Sequence, residues 1–332
     1  MAGIGKRMRP HTLSVPKPLV VVAGKPIVQH LVESISTVCQ EPITEIAYIL
    51  GDSEMFGKAV QQSLVELAQS LGATASLFVQ KEPLGTAHAI LCAEASLSGK
   101  VVVAFADTLF KADFVLDSEQ DGIIWVSKIE DPRAFGVVKL NETGNITDFY
   151  EKPETFVSDL AIIGIYYFKD GENLKKELQY LITNDIKEKG EYQLTNALEN
   201  MKNKGLKFTA SAVTEWLDCG NKNATVYTNQ RMLEILHQQQ KNTVSANIHT
   251  ENAHIIAPCF IGEGVTIKNS VVGPHVSIGA GTLVERSVIS NSIIQNHSHI
   301  ANTVLHNSMV GSHTILAGKP LDASIGDYNE IG

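Results

Sequence analysis

The C-terminal third of the chain repeats itself, and the repeat leaves few ways to fold. Ile261-Gly-Glu-Gly-Val-Thr returns 17 residues later as Ile278-Gly-Ala-Gly-Thr-Leu. Asn269-Ser-Val-Val recurs as Arg286-Ser-Val-Ile and then, 16 residues on, as Asn302-Thr-Val-Leu. Ile294 aligns with Val310, and His297 with His313. An aliphatic residue returns every five or six positions within a period of 16 or 17. Three short strands per coil produce such a period. One coil cannot bury its aliphatic side alone, so coils stack into a solenoid. Residues 251–320 therefore read as a parallel β-helix of roughly four turns, with glycines and small residues at its corners.

The rest of the chain has a different rhythm. Apolar β-rich runs (Ile46–Leu50, Ala75–Val79, Val101–Ala106, Ile123–Val126) alternate with helical patterns at Ile27–Val38, Phe56–Leu71 and Ala87–Ala95. Such alternation predicts a mainly parallel sheet covered by helices. Three later strands, Gly136–Leu140, Ile146–Glu151 and Ala161–Phe168, follow one another closely, and Asn-Glu-Thr-Gly at 141–144 is a hairpin turn, so an antiparallel addition is expected there. Residues 225–242 read as a helix leading out of this domain. The division expected is an α/β domain over 1–228, a helical linker over 229–250, the β-helix over 251–320 and a polar tail over 321–332.

Bulk properties narrow the partners. At 332 residues, two domains are favoured over one, and 44% hydrophobic content provides a core of useful size. A net charge of −9 with no Lys/Arg-rich run argues against nucleic acid. No stretch approaches 18 apolar residues, so a membrane span is not expected. Cys39, Cys92, Cys219 and Cys259 lie far apart with no CxxC spacing, which suits a reducing cytoplasm and neither zinc nor a disulfide framework.

The chemistry-bearing motifs lie in the first domain. Gly3-Ile-Gly-Lys-Arg-Met-Arg-Pro-His-Thr12 precedes Pro16-Lys-Pro-Leu19. The glycines Gly3 and Gly5 let backbone N–H groups approach phosphate oxygens, while Arg7 adds a planar fork of charge and Lys17 a point charge. A phosphate loop of this kind normally follows a buried strand, and none stands before Ala2. The first strand of the sheet is therefore expected to be missing, and an upstream reading frame encoding an apolar strand would support that. Asp107 follows the apolar run Val101–Ala106, where a carboxylate faces the crevice at the carboxyl ends of the strands.

These motifs resemble the signature of the sugar-1-phosphate nucleotidyltransferases, and the form with a β-helical tail is most similar to glucose-1-phosphate thymidylyltransferases. The resemblance covers nearly the whole chain. It implies a Rossmann-like mixed sheet followed by a left-handed parallel β-helix. It implies that Arg7 assists departing pyrophosphate, that Lys17 contacts phosphate, and that Gln80-Lys-Glu-Pro-Leu-Gly-Thr-Ala-His-Ala89 holds the nucleoside. Within that segment Gln80 faces the base, Gly85 admits the nucleotide, and Thr86 opens a helix; His88 is read as a packing residue. Asp107 pairs with Asp218 of Trp216-Leu-Asp-Cys-Gly220 to hold Mg2+, for which two carboxylates plus substrate oxygens suffice. Gly136 and Tyr150-Glu-Lys-Pro153 imply a sugar site, with Glu151 on a hydroxyl and Lys152 on the phosphate. Glu191 of Glu191-Tyr-Gln-Leu-Thr-Asn196 is a further sugar ligand, and Asn196 stands where the family usually has Asp. No role is attached to Arg9 or Thr12.

The implied substrates are a nucleoside triphosphate, dTTP before UTP, and a sugar-1-phosphate, glucose-1-phosphate first. The β-helix implies a homo-oligomer. Two other readings stay open: a regulatory homologue that binds without turnover, and an added acyltransferase activity, for which His297 and His313 are more simply solvent-facing corners.

Overall fold

The computed structural model describes residues 5–39, 41–52 and 54–319; Gly3 and the tail at 321–332 lie outside the described residues. Two compact units are distinguished. One takes in the chain up to Val20 and Lys25–Asn221, and the other takes in Val21–Gly24 and the chain from Lys222 onward.

In chain order the elements of the first part are β1 (Val21–Val22), β2 (Lys25–Pro26), α1 (Ile27–Cys39), β3 (Glu45–Gly51), α2 (Lys58–Ser70), β4 (Thr74–Gln80), α3 (Thr86–Leu91), β5 (Val101–Ala104) and β6 (Thr108–Lys111). There follow β7 (Gly122–Lys128), β8 (Gly136–Leu140), β9 (Ile146–Glu151), β10 (Leu160–Phe168), α4 (Gly171–Thr183), α5 (Leu194–Asn203), β11 (Phe208–Ala212) and β12 (Glu215–Asp218). The amphipathic spacing of α1 explains its burial: Ile27, Val28, Leu31, Val32, Ile35 and Val38 all point inward.

The sheet is mixed rather than mainly parallel. β10 is central and antiparallel to β7 on one edge and to β5 and β8 on the other. It is buried at eight of its nine positions. Parallel pairing is confined, among the described strands of this unit, to β11 with β7 and β3 with β4. The reason lies in the connections. Short links between β7, β8, β9 and β10 cannot carry the crossover that parallel neighbours need. The hairpin at 141–144 forms as expected: β8 and β9 pair antiparallel, and the Asn141 side chain accepts from the N–H groups of Thr143 and Asn145. Helix α3 ends at Leu91, short of the expected Ala95.

The second unit opens with α6 (Lys222–Gln238). Its coils run β13 (His249–Glu251), β14 (His254–Ile255), β15 (Cys259–Ile261); β16 (Thr266–Lys268), β17 (Val271–Val272), β18 (Val276–Ile278); β19 (Leu283–Glu285), β20 (Val288–Ser290), β21 (Ser292–Ile294); β22 (His299–Ala301), β23 (Val304–His306), β24 (Met309–Val310); and then β25 (Ile315–Ala317). Strands stack in three parallel ladders, and each pairs with its counterpart in the next coil. Ile261, Ile278 and Ile294 align, as the repeat requires. Ile267, Val284 and Ile300 form a second such row, each with no solvent exposure. Asn252, Asn269, Arg286 and Asn302 occupy one corner with positive φ, a conformation that Asn tolerates well.

Helix α6 is not a free-standing lead out of a domain. Asn229 on its inner face is fully buried, accepts from the Ala23 N–H at 2.9 Å and from the Ser277 hydroxyl at 2.6 Å, and so pins the Val21–Gly24 segment and β18 together. A buried amide is tolerated only with such partners.

Burial along the coil rows predicts the cost of breaking them. Ile278→Ala should lower the unfolding free energy by about 2–5 kcal/mol, whereas Val304→Ala, at a side chain 76% exposed, should stay within about 0.5 kcal/mol. Urea unfolding followed by circular dichroism measures both, and equal losses would contradict the assignment of inner and outer positions.

Candidate active site

The site is built where strands end. β5 stops at Ala104, and the chain passes through Phe105 and Ala106 to Asp107 before β6 begins. β6 pairs antiparallel with β12 so that Thr108 lies opposite Asp218. The Cys219 N–H donates to the Asp107 carbonyl at 3.1 Å. This ladder brings the two aspartates, distant in sequence, to the same end of one strand pair.

Their surroundings differ. Lys17 Nζ lies 2.8 Å from Asp107 Oδ2, with the lysine side chain 9% exposed and the aspartate 43% exposed. The amine is thus desolvated and needs its partner, while the carboxylate keeps an open side. At Asp218, burial raises the carboxyl above the usual aspartate range; Lys17 pulls it down, Asp107 pushes it up, and the Gly220 N–H and Arg7 lower it. Gly220 donates to Asp218 Oδ1 at 2.9 Å, and a Cβ at that glycine would lie 2.7 Å from Oδ2. Glycine is required there for the carboxylate to turn back on its own loop.

A cavity of about 510 Å³ opens beside this pair. Gly5, Arg7, Lys17, Gln80, Gly85, Thr86, Asp107 and Glu191 all line it, and Lys6 and Gly220, which carry no role in the sequence reading, line it too. The glycine loop is folded on itself: Thr12, buried, donates its hydroxyl to the Gly5 carbonyl at 2.8 Å. Arg7 is exposed, as is Arg9, which is not among the lining residues.

The Gln80–Thr86 turn is held from within. Gln80 is 6% exposed; its Nε2 donates to the Gly85 carbonyl at 3.3 Å and lies 3.0 Å from His88 Nδ1. His88 therefore orients the Gln80 amide. Gly85 has φ 120°, and a Cβ there would lie 2.5 Å from the Tyr192 carbonyl oxygen. The space freed by this glycine is occupied by the chain's own backbone, a constraint that the resemblance assigned to the nucleotide.

Gly136, Glu151 and Lys152 form a second cluster, outside the lining of that cavity. Gly136 pairs with Glu151 across β8 and β9, Glu151 Oε1 lies 3.3 Å from Lys152 Nζ, and the Thr195 hydroxyl donates to Glu151 Oε2 at 3.3 Å. Residues 191–195 connect the two clusters. Gln193 donates to Glu191 Oε2 at 3.1 Å and accepts from the Thr86 hydroxyl at 3.3 Å, while Thr195 reaches Glu151. Thr195 was legible only as the Thr of Glu-x-x-Leu-Thr, with no reason to couple it to Glu151. Asn196 donates its backbone N–H to the Gln193 carbonyl at 3.3 Å in the first turn of α5.

The donor set suits a hard divalent cation. Two carboxylates brought to one strand end repel one another, and a cation with oxygen preference relieves that repulsion while leaving positions for phosphate and water. Among the described residues, no cluster of three or more His, Cys, Asp or Glu forms a protein-only cage.

Two outcomes follow. Gly85→Ala should destabilise the fold by at least about 1 kcal/mol, since the positive φ and the Tyr192 backbone both oppose a side chain; thermal melting tests it, and an unchanged midpoint would contradict the close approach. For Asp218 the sign is fixed by its raised pKa. The folded state holds this proton more tightly than the unfolded chain, so stability from it is present at low pH and lost as pH rises through the folded value. Asp218→Asn should match the parent in acid and become the more stable protein toward neutral pH. Melting curves across that range decide it, and a variant less stable at neutral pH would contradict the burial argument.

Comparison with known proteins agrees with this geometry. The Nucleotidyl transferase family model matches residues 1–235. A glucose-1-phosphate thymidylyltransferase of Streptomyces griseus is 26% identical over 96% of this chain and 92% of its own length. The low-salt glycan biosynthesis nucleotidyltransferase Agl11 of Haloferax volcanii is 29% identical over 99% of this chain and 92% of its own. The crystal structure of a nucleoside-diphosphate-sugar pyrophosphorylase from Vibrio cholerae shares the fold, with a TM-score of 0.58 at 20% identity over 69% of this chain and 98% of that one. With its phosphate loop, paired aspartates and nucleotide-sized cavity in one unit, the chain belongs to the nucleotidyl transferase family, among the sugar-1-phosphate nucleotidyltransferases.

Proposed function

We propose that this chain joins the thymidylyl group of dTTP to glucose-1-phosphate, releasing pyrophosphate. The observation that carries the reading is the convergence of Gly5, Arg7, Lys17, Gln80, Asp107 and Glu191 on one cavity. A phosphate oxygen of the sugar-1-phosphate attacks the α-phosphorus of the triphosphate. A new P–O bond forms as the bond to the oxygen bridging the α- and β-phosphorus breaks, and pyrophosphate departs with that electron pair. The attacking phosphate is already ionised at neutral pH, so no general base is needed. The barrier is the approach of two anions, and positioning with charge lowers it.

Arg7 meets the departing pyrophosphate and Lys17 a phosphate oxygen. Gln80, with its Nε2 engaged by Gly85 and His88, presents its carbonyl oxygen to an N–H of the base. That favours thymine or uracil, both of which carry a ring N–H. Gly3 and Gly5 cradle phosphate, and Gly85 and Thr86 shape the nucleoside turn. Glu151 and Glu191 accept sugar hydroxyls beside Gly136, and Lys152 contacts the sugar phosphate. Asp107 and Asp218 would hold Mg2+, which when bound neutralises phosphate charge.

We assign turnover to residues 1–228, and assembly of copies to a left-handed coil over 251–320 reached through 229–250. Among the described residues no helix is long and apolar enough to cross a membrane, and we place the enzyme in the cytoplasm.

Pyrophosphate release from dTTP, UTP, CTP, GTP and ATP, each with glucose-1-phosphate, N-acetylglucosamine-1-phosphate or mannose-1-phosphate, tests the reading. The dTTP and glucose-1-phosphate pair should turn over fastest, and Asp107→Ala and Lys17→Ala should each lower kcat/KM by at least about a hundredfold. A preference for UTP would replace the base assignment alone. Nucleotide binding without turnover would favour a regulatory role.

A further inference from the structure

A second cavity, of about 380 Å³, lies between β3 and β5. β3 is hydrogen-bonded along one edge only, to β4, and β5 along one edge only, to β10. The described strands thus leave two backbone edges facing one groove. Such edges are rows of unpaired N–H and C=O groups, and natural sheets cover or blunt them.

The groove has the chemistry of a sheet interior. Val28, Leu31 and Ile35 of α1 line it together with Ile46 and Val102 of the two strands. β5 reads Val-Val-Val-Ala, yet all four of its residues are only half-buried, whereas the neighbouring β10 is buried at all but one position. An all-aliphatic strand of this kind is suited to the middle of a sheet covered on both faces. Tyr48 also lines the groove; it is 3% exposed, and its hydroxyl has no hydrogen-bond partner.

Direction follows from the neighbouring cavity. Ile49, Ala104 and Ala106 line both the groove and the substrate cavity. Each lies toward the carboxyl end of its strand or just beyond it, so β3 and β5 both point at that cavity. Gly5 lines the same cavity. A segment running through the groove parallel to both strands would therefore arrive where the glycine loop starts.

We propose that the groove between β3 and β5 is a strand-acceptor site. Its occupant is an extended, uncharged run of about five to seven aliphatic and β-branched residues, joined to the amino side of the glycine loop. It pairs with β3 on one edge and β5 on the other. Its sequence is continuously apolar, because α1 covers one face and the remaining wall of the groove the other, and it contains no proline, since a central strand donates along its whole length.

The test compares the full chain with three forms extended at the amino end: seven Val/Ile/Leu residues, a Gly/Ser segment of equal length, and the apolar segment with a central proline. A synthetic apolar peptide added in trans to the unextended chain is the fourth arm. Hydrogen exchange at the amides of 45–51 and 101–104, the melting midpoint and alkylation of Cys39, which lines the groove, are the readouts. The apolar extension alone should slow exchange in both strands at least about tenfold, raise Tm by at least about 4 °C and slow Cys39 alkylation. Equal protection by the Gly/Ser or proline form, or protection by none, would overturn the site. Protection by the free peptide as strong as that by the fused segment would overturn the covalent link to the glycine loop.

Discussion

The site depends on β10. This one strand, buried almost throughout, carries β5 on the carboxyl-terminal half of one edge, β8 near its start and β7 along the other edge. β5 delivers Asp107 at its end. β8 brings Gly136 opposite Glu151 on β9. β7 supports β11, and β12 follows β11 to bring Asp218 back beside β6. The acids and the glycine gather because strands that diverge in sequence share one ladder. Backbone hydrogen bonds fix these distances more tightly than side-chain preferences could, and rigid elements hold a charged site to the tolerance that phosphate chemistry needs.

Charge is inverted locally against the protein's overall balance. The chain carries a net charge of −9, yet Lys6, Arg7 and Lys17 line one cavity in which Asp107 and Glu191 are the acids. Lys17 is buried and pairs with Asp107. Burying one partner of an ion pair lowers the local dielectric and strengthens its field toward an incoming anion. Asp218 shows the opposite consequence of the same burial: its charge is disfavoured until something positive offsets it. A site prepared in this way costs stability in isolation and recovers it on binding charged partners.

The second unit uses simpler physics. Each coil buries one aliphatic side chain per short strand and passes the same requirement to the next coil. Its polar content is concentrated at Asn229, where a buried amide is satisfied by backbone and hydroxyl partners. Helix α6 consequently packs on the coil, although its residues alone look like an ordinary connector between domains.

Much of this was readable in the linear chain. The period of 16 or 17 residues is a local, repeated demand for burial, so it determined the three-ladder coil, its register and the asparagine corners without reference to anything distant. The glycine loop, the Gln80 segment and the two aspartates were likewise visible, because phosphate and metal chemistry restricts residue type and spacing within short motifs. What the linear chain left undecided depends on contacts between remote segments. No local pattern says that Gly85 makes room for the Tyr192 backbone, that Thr195 holds Glu151, that Gly220 gives Asp218 its turn, or that β10 runs antiparallel at the centre of a sheet whose strand–helix alternation suggests parallel neighbours. Hydrophobic periodicity specifies which face of an element is buried but not which element buries it, and only the folded chain settles that pairing.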